Sequence, residues 1–289
     1  MLPSAKLTAH LERAVTSYRA GEHPPFDPRL GADIGVTAVA GWTLALWHRG
    51  YPDQAHEAAN EALARARRLR HPHTLAYALL IIAMAEIAAR KTNETEERAD
   101  ELVALADEHR FAFFSGFGQI FQGWALVQRG HGRAAVQRIR EGLSAAEATG
   151  WRSHEPGFLG LLAEALALIG AISDGLTVLA EALATAEASG ARGADAEIHR
   201  LRGELLRRSS SPNSTEVEAC FRMAVAVARE QGTHGYELRA AISLARLLSQ
   251  QGRRAETRDV LAPVYGLFTE GFDTPDLKEA TALLAVPGA

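Results

Sequence analysis

Apolar residues recur at helical spacing along the chain. Leu159, Leu162 and Leu166 fall on one face of a predicted helix, and Leu176 and Leu179 fall on one face of the next. No stretch alternates apolar and polar residues with the β-branched and aromatic enrichment of a strand. The pattern therefore predicts an all-α protein.

The predicted helices belong to an internal repeat. The related segments EALARA, ELVALA, EGLSAA and EALATA start 40 residues apart, at Glu61, Glu101, Glu141 and Glu181. Half a repeat away lies a second series of markers, and the residue seven positions before each marker is small. The markers are Gly50, Arg90, Gly130, Gly170, Ser210 and Gly252, and the small residues are Thr43, Ala83, Gly123, Ala163, Gly203 and Ala245. Left-handed glycines end helices, and small side chains let helices approach closely, so each repeat is predicted to be helix A, a tight turn and helix B.

One such helix pair cannot bury its own apolar face, but a stack of pairs can. The sequence therefore predicts a right-handed superhelical solenoid of about six repeats of about 40 residues over residues 32–274. Residues 1–31 are predicted to be a partial leading repeat, with an unpaired helix B at 7–20 and a Pro-rich link. Residues 275–289 are predicted to form a C-terminal capping helix and tail.

The repeat resembles the tetratricopeptide repeat in its small residue before a turn glycine and in the run Gly50-Tyr-Pro-Asp-Gln-Ala55. Three segments are similar to the C-terminal repeat region of large bacterial class III adenylate cyclases and related signalling-ATPase regulators. They are WTLALWHRGYPDQA from Trp42, EIHRLRGELLRR from Glu197 and the run from Glu237 to Ala280. The resemblance implies a tetratricopeptide-like fold and a sensory or regulatory arm of a larger signalling protein, whose cyclase or ATPase chemistry would lie in other domains.

Composition and charge narrow the classes of function. The formal net charge of −4 gives no general attraction to phosphate backbones, so direct nucleic-acid binding is not expected. No run of about 18 uncharged apolar residues is present, so a membrane span is not expected. The single cysteine, Cys220, excludes an internal disulfide, and no export signal precedes the repeats; both favour the cytoplasm.

Catalytic and cofactor motifs are not found. The three lysines, Lys6, Lys91 and Lys278, do not follow a glycine, so a phosphate-binding loop is absent. His71 and His73 could share a metal ion or form a turn, and without a third ligand nearby the turn is favoured. The sequence thus predicts a non-catalytic chain without cofactor or metal. The alternative is an enzyme that holds a small molecule in a groove.

If helices A line the concave face, residues at fixed offsets from the markers form a groove that is aromatic and apolar at first and then charged. The candidate binding residues are Trp47, Tyr77, Met84, Phe117, Trp124, Glu164, Arg200, Glu204 and Arg207. The expected occupant is a protein or peptide partner, or a small-molecule effector. Two alternatives stay open: Trp47 and Trp124 could pack between helices, and the charged residues from Glu197 to Arg207 could only pair with one another along the helix.

Overall fold

The computed structural model describes residues 4–19, 31–150 and 155–285. These residues form fourteen α-helices and one short 3-10 turn at Arg192–Ala194, without a β-strand. The helices are α1 Ser4–Arg19, α2 Ile34–His48, α3 Pro52–Leu69, α4 Pro72–Ala88, α5 Thr92–His109, α6 Ala112–Gln128, α7 Gly132–Glu147, α8 Glu155–Leu168, α9 Ile172–Ser189, α10 Asp195–Arg207, α11 Ser214–Gln231, α12 His234–Gln250, α13 Arg254–Tyr265 and α14 Pro275–Leu284. The all-α prediction is confirmed.

Helices A and B alternate as the repeat predicts: α2, α4, α6, α8, α10 and α12 are helices A, and each is followed by a helix B. The turn glycines are left-handed, with φ of +84° at Gly50, +80° at Gly130, +79° at Gly170 and +75° at Gly252. Arg90 takes the same conformation, with φ of +57°. Glycine pays no steric penalty there, which is why it marks these helix ends in the sequence.

The marker at Ser210 is wrong as a left-handed helix end. Helix α10 ends at Arg207, and Arg208 keeps a right-handed backbone with φ of −93°. The Ser209 amide and hydroxyl both donate to the carbonyl of Leu206, so the chain leaves the helix without a left-handed residue. The serine-rich loop then leads to Asn213, whose side chain caps α11.

By its internal contacts the chain divides into two units. Of the described residues, the N-terminal unit comprises those up to Trp47 and those from Pro52 to Gly150, and the C-terminal unit comprises His48–Tyr51 and 155–285. Consecutive helices pack together from α3 to α7 in the N-terminal unit and from α8 to α14 in the C-terminal unit. Helices A also contact the next helix A, as α4 does with α6 and α10 with α12. Helix α14 packs on α12 and so follows α12 in the row of helices A. The Pro-rich part of the predicted leading repeat, at 20–30, lies outside the described residues, as do residues 286–289 of the predicted tail.

Close helix packing explains the small residues seven positions before the turns. Ala83, Ala163 and Ala245 are fully buried. A Cβ atom added to Gly203 would lie 2.5 Å from the ring of Phe221, on the following helix B. A larger side chain at this position would therefore force helices A and B apart, as the sequence pattern predicts.

None of the described helices combines the length and the apolar character needed to cross a bilayer.

Candidate functional site

In the N-terminal unit, one face of α4 is only partly covered and is apolar. Tyr77, Ile81, Met84 and Ile87 are half-buried and follow one another at intervals of three or four residues. That spacing places them in a row along the helix. Burial raises the pKa of the Tyr77 phenol above its usual value, so the ring stays neutral. The predicted site residues Tyr77 and Met84 thus lie together on an accessible surface.

The helices A of the N-terminal unit are almost free of charge. Helices α2, α4 and α6 contain Glu86 as their one Asp, Glu, Lys or Arg residue. Helices that are apolar on all sides are normally covered on all sides. The half-buried row on α4 is therefore suited to apolar side chains of a partner, because a charged group would lose hydration there without compensation.

Three of the predicted aromatic site residues are packed inside the protein. Phe117 is 0% exposed, Trp124 3% and Trp47 6%. The Phe117 ring lies edge-on to Phe113, with 4.9 Å between ring centroids, and near Phe121. The expectation that these three aromatic rings offer exposed anchors is therefore corrected: their large apolar area serves the core, which is the alternative left open for Trp47 and Trp124.

In contrast to the apolar face of α4, the partly exposed face of α6 carries polar residues. Gln122 donates from Nε2 to Asp100 Oδ1 at 2.7 Å and accepts at Oε1 from the Arg138 guanidinium at 2.7 and 2.9 Å. Ser115 donates to Asp107 Oδ1 at 3.2 Å. These bonds join α6 to the helices on either side of it, so this face is engaged in packing contacts.

In the C-terminal unit, helix α10 carries a row of charged residues that begins with Glu197 and Arg200. Arg200 is 5% exposed and donates to both carboxylate oxygens of Glu197, at 2.9 and 2.7 Å. Its third nitrogen lies 3.8 Å from Glu204 Oε1. Glu164, half-buried on α8, also acts on Arg200 through its charge. Of the candidate residues, Glu164 and Glu204 therefore both interact with the positive charge of Arg200.

Glu204 lies at the centre of this row. Its carboxylate accepts from Arg207 at 3.0 Å and from the Ser243 hydroxyl at 3.0 Å, and Arg246 lies 3.5 Å away. Glu204 is 8% exposed, whereas the side chains of Arg207 and Arg246 are 35% and 38% exposed. The two arginines thus form the solvent side of a cluster whose carboxylate is buried.

Helix α14 completes the cluster from the C-terminal end. Arg239, on α12 and 6% exposed, donates to Asp276 Oδ2 at 2.9 and 3.1 Å and lies 3.8 Å from Glu197. Arg246 donates to Glu279. The charged network so formed joins α10, α12 and α14, and it comprises Glu197, Arg200, Glu204, Arg207, Arg239, Ser243, Arg246, Asp276 and Glu279.

The sequence prediction of the site omitted the α14 carboxylates and Ser243. Asp276 and Glu279 are three residues apart and so share a helix face, but α14 was predicted to be a cap. The repeat register contains a signal for part of this network, because Arg239 and Arg246 occupy the positions on α12 that correspond to Glu197 and Glu204 on α10. Two arginines opposite two glutamates indicate pairing between helices, and the pairing along α10 left open from the sequence is only half of the network.

Two buried members of the network, Glu204 and Arg200, keep their charges at neutral pH. Burial alone would raise the pKa of Glu204, but Arg200 and the hydrogen bonds from Arg207 and Ser243 outweigh it and hold the pKa below its usual value. Burial would lower the pKa of Arg200, but Glu197 and Glu204 raise it overall. Burial, with the charge of Glu197, raises the pKa of the neighbouring Tyr236 to about 12. Glu204 and Arg200 therefore stay charged near neutral pH, and Tyr236 stays neutral.

Comparison with known proteins supports the fold. The chain is similar to the apo form of RapI, with a TM-score of 0.59 and 13% identity over 96% of this chain and 98% of that one. It is also similar to a Rap protein complexed with Competence and Sporulation Factor, with a TM-score of 0.62 and 12% identity over 96% of this chain and 77% of that one. The fold is thus a tetratricopeptide-like helical repeat.

No protein-family model matches the chain. An uncharacterised protein of Rhizobium meliloti (strain 1021) is 28% identical over 217 residues, which is 75% of this chain and 21% of that protein. The chain therefore spans about a fifth of the length of this relative.

Proposed function

We propose that the chain is a non-catalytic recognition module that binds a protein or peptide partner on the faces of its helices A. The observation that carries the proposal is the half-buried apolar row of Tyr77, Ile81, Met84 and Ile87, on helices that are otherwise nearly free of charge. The Rap protein of similar fold is complexed with Competence and Sporulation Factor, which supports a binding role for this fold.

The charged network supports a second contact region of different chemistry. A buried ion pair contributes little net stability, because desolvation offsets the attraction between its charges, so stability alone does not account for so many buried charges. Arg207 and Arg246 are the partly exposed arginines of the network, and Glu279 beside Arg246 is exposed to a similar degree. Their guanidinium groups can bind a carboxylate or backbone carbonyls of a partner.

The protonation states of Glu204 and Arg200 disfavour catalysis in this region. General acid–base chemistry works best with a pKa near the working pH. Glu204 has a lowered pKa and Arg200 a raised one, so neither transfers a proton readily at neutral pH. A small-molecule enzyme with its site in this region is therefore the weaker candidate.

The larger context is also part of the proposal. We infer that the chain works as the sensory or regulatory arm of a larger bacterial signalling protein of the cytoplasm, with the cyclase or ATPase activity in other domains. The support is the resemblance of its C-terminal run to the repeat regions of cyclases and ATPase regulators, together with the much greater length of the Rhizobium relative.

The test is selection of peptides from a random display library on the immobilised chain, followed by calorimetric titration of the recovered peptides. Met84→Ala and Arg207→Ala are compared with Met223→Ala and Arg222→Ala, which change the same residue types on helix B α11. We expect weaker binding for the first two at a temperature where every variant is folded, and unchanged binding for the α11 pair. Equal affinity for all four variants would refute binding at the helix-A faces.

A further inference from the structure

Glu86 stands where every other helix A has a leucine. The residue four positions before the turn marker is Leu46, Leu126, Leu166, Leu206 or Leu248 in the other five repeats. Leu46, Leu166 and Leu248 are buried, as is Glu86, which is 8% exposed. One repeat therefore places a carboxyl group in the interface that its counterparts fill with a leucine side chain.

The carboxyl group of Glu86 has an oppositely charged neighbour at one oxygen and no hydrogen-bond partner at the other. Oε1 lies 3.7 Å from Nε of Arg98 on α5, which is beyond hydrogen-bonding distance. Glu86 Oε2, Arg98 Nε and Thr95 Oγ1 are buried without a hydrogen-bond partner. Burying a charge in such surroundings is costly, whereas the neutral carboxylic acid costs much less.

The charged groups around Glu86 come from helix α5 and from the residue that precedes it. Arg98 and Lys91 favour its charged form, and Glu94 and Glu97 oppose it. Helix α4 also packs on α3 and α6. On α3, His56 lies 3.1 Å from Lys91 Nζ, and the sequence of α6 contains no titratable residue. Burial is the largest influence, and it raises the pKa of Glu86 to about 7.

We propose that Glu86 is a proton-operated switch in the α4–α5 helix pair. With its proton, the carboxyl group remains between the helices; without it, the charge draws α4 away from α5 towards water. The row of Tyr77, Ile81, Met84 and Ile87 lies on α4, so the switch acts on the helix that carries the apolar surface. The switch concerns the local stability of this pair and does not depend on the proposed binding function.

The direction of the effect follows from proton linkage. The pKa of Glu86 in the folded chain lies above the unfolded value of 4.5. The contribution of protonated Glu86 to the stability of the α4–α5 pair is therefore complete below about pH 4.5 and is lost as the pH rises through about 7. These two values predict that the equilibrium constant for opening of the pair increases roughly seventyfold between pH 5 and pH 8, relative to a chain without this group.

Hydrogen exchange of the α4 and α5 amides tests the switch, with each variant compared with wild type at the same pH to cancel intrinsic exchange. Glu86→Gln keeps the shape of the side chain but cannot ionise, and Glu86→Leu restores the residue of the other repeats. Glu57→Gln, at an exposed position on α3, is the matched control. The ratio of wild-type opening to Glu86→Gln opening is expected to rise roughly seventyfold from pH 5 to pH 8, and the ratio to Glu57→Gln is expected to stay constant.

A ratio to Glu86→Gln that stays constant across this pH range would overturn the switch. If Glu86→Gln does not fold, Glu86→Leu serves as the reference, and the same rise is expected. A pH-dependent rise confined to helices outside the α4–α5 pair would also overturn it.

Discussion

Helices α6 and α7 cross at two glycines, which makes Gly142→Ala an informative substitution. A Cβ atom on Gly142 would lie 2.5 Å from the carbonyl oxygen of Gly116 and 2.8 Å from the amide nitrogen of Ile120. Favourable contacts between heavy atoms lie at about 3.5–4.0 Å, so the two helices would have to move apart by roughly 1 Å. Both of these are backbone atoms, so no side-chain rotation relieves their clash, and the side-chain atom Ile120 Cγ1 would also lie 2.7 Å away.

The magnitude follows from two opposing effects. Overpacking costs about 1–3 kcal/mol, and a backbone clash belongs at the upper end of that range. Replacing glycine by alanine inside a helix returns about 1 kcal/mol. The net loss in the free energy of unfolding is therefore about 2 kcal/mol, which corresponds to a decrease of roughly 5 °C in the thermal midpoint.

Gly160→Ala is the matched control, because the same change meets no clash there. The nearest atom to its Cβ would be Leu201 Cδ1, at 3.5 Å. This variant should gain the helix propensity and raise the thermal midpoint by about 2–3 °C. Both midpoints are measured by circular dichroism at 222 nm. If Gly142→Ala is as stable as Gly160→Ala, α6 and α7 do not approach as closely as described.

Three further predictions concern helix ends and catalysis. Asn213→Ala removes the acceptor of the Thr215 and Glu216 amides, at 3.1 and 3.4 Å, and should cost about 1 kcal/mol in urea denaturation; an unchanged midpoint would show that this cap is unimportant. Gly170→Ala should cost about 1 kcal/mol in thermal denaturation purely from its φ of +79°, because no atom lies within 4 Å of the added Cβ, and a gain in stability would contradict the left-handed turn. The purified chain incubated with Mg-ATP should give no product, and turnover abolished by a mutation in this chain would refute the non-catalytic assignment.

The repeat architecture could be predicted from sequence because glycine reports backbone conformation directly. Gly50, Gly130 and Gly170 lie where φ is positive, a conformation that favours glycine, and their spacing defines the helix pairs. Arg70 and Arg110 adopt the same left-handed conformation at the ends of helices B, with φ of +52° and +58°. Because arginine is not typical of this conformation, these two helix ends could not be predicted from the residue type.

The candidate site could be predicted only in part, because register fixes a position along a helix but not which neighbour covers it. Met84 and Trp124 occupy equivalent positions, yet Met84 is half-buried and Trp124 is 3% exposed. Gly118 and Gly123 bring α6 into close contact with α5 and α7, and such contacts between helices are not contained in the pattern of a single helix. The partners of Arg239 and Arg246 on α14 likewise depend on packing that a single-helix pattern does not contain.

The charged network also has a consequence for cooperativity in the repeat array. In a linear array of repeats, the coupling between neighbours determines whether the repeats melt together or fray one by one from an end. Arg239 and Arg246 each bind a carboxylate on both adjacent helices of the row, so losing α14 would remove one carboxylate partner from each arginine. Terminal fraying is thereby penalised, and the last two repeats should melt as one cooperative block.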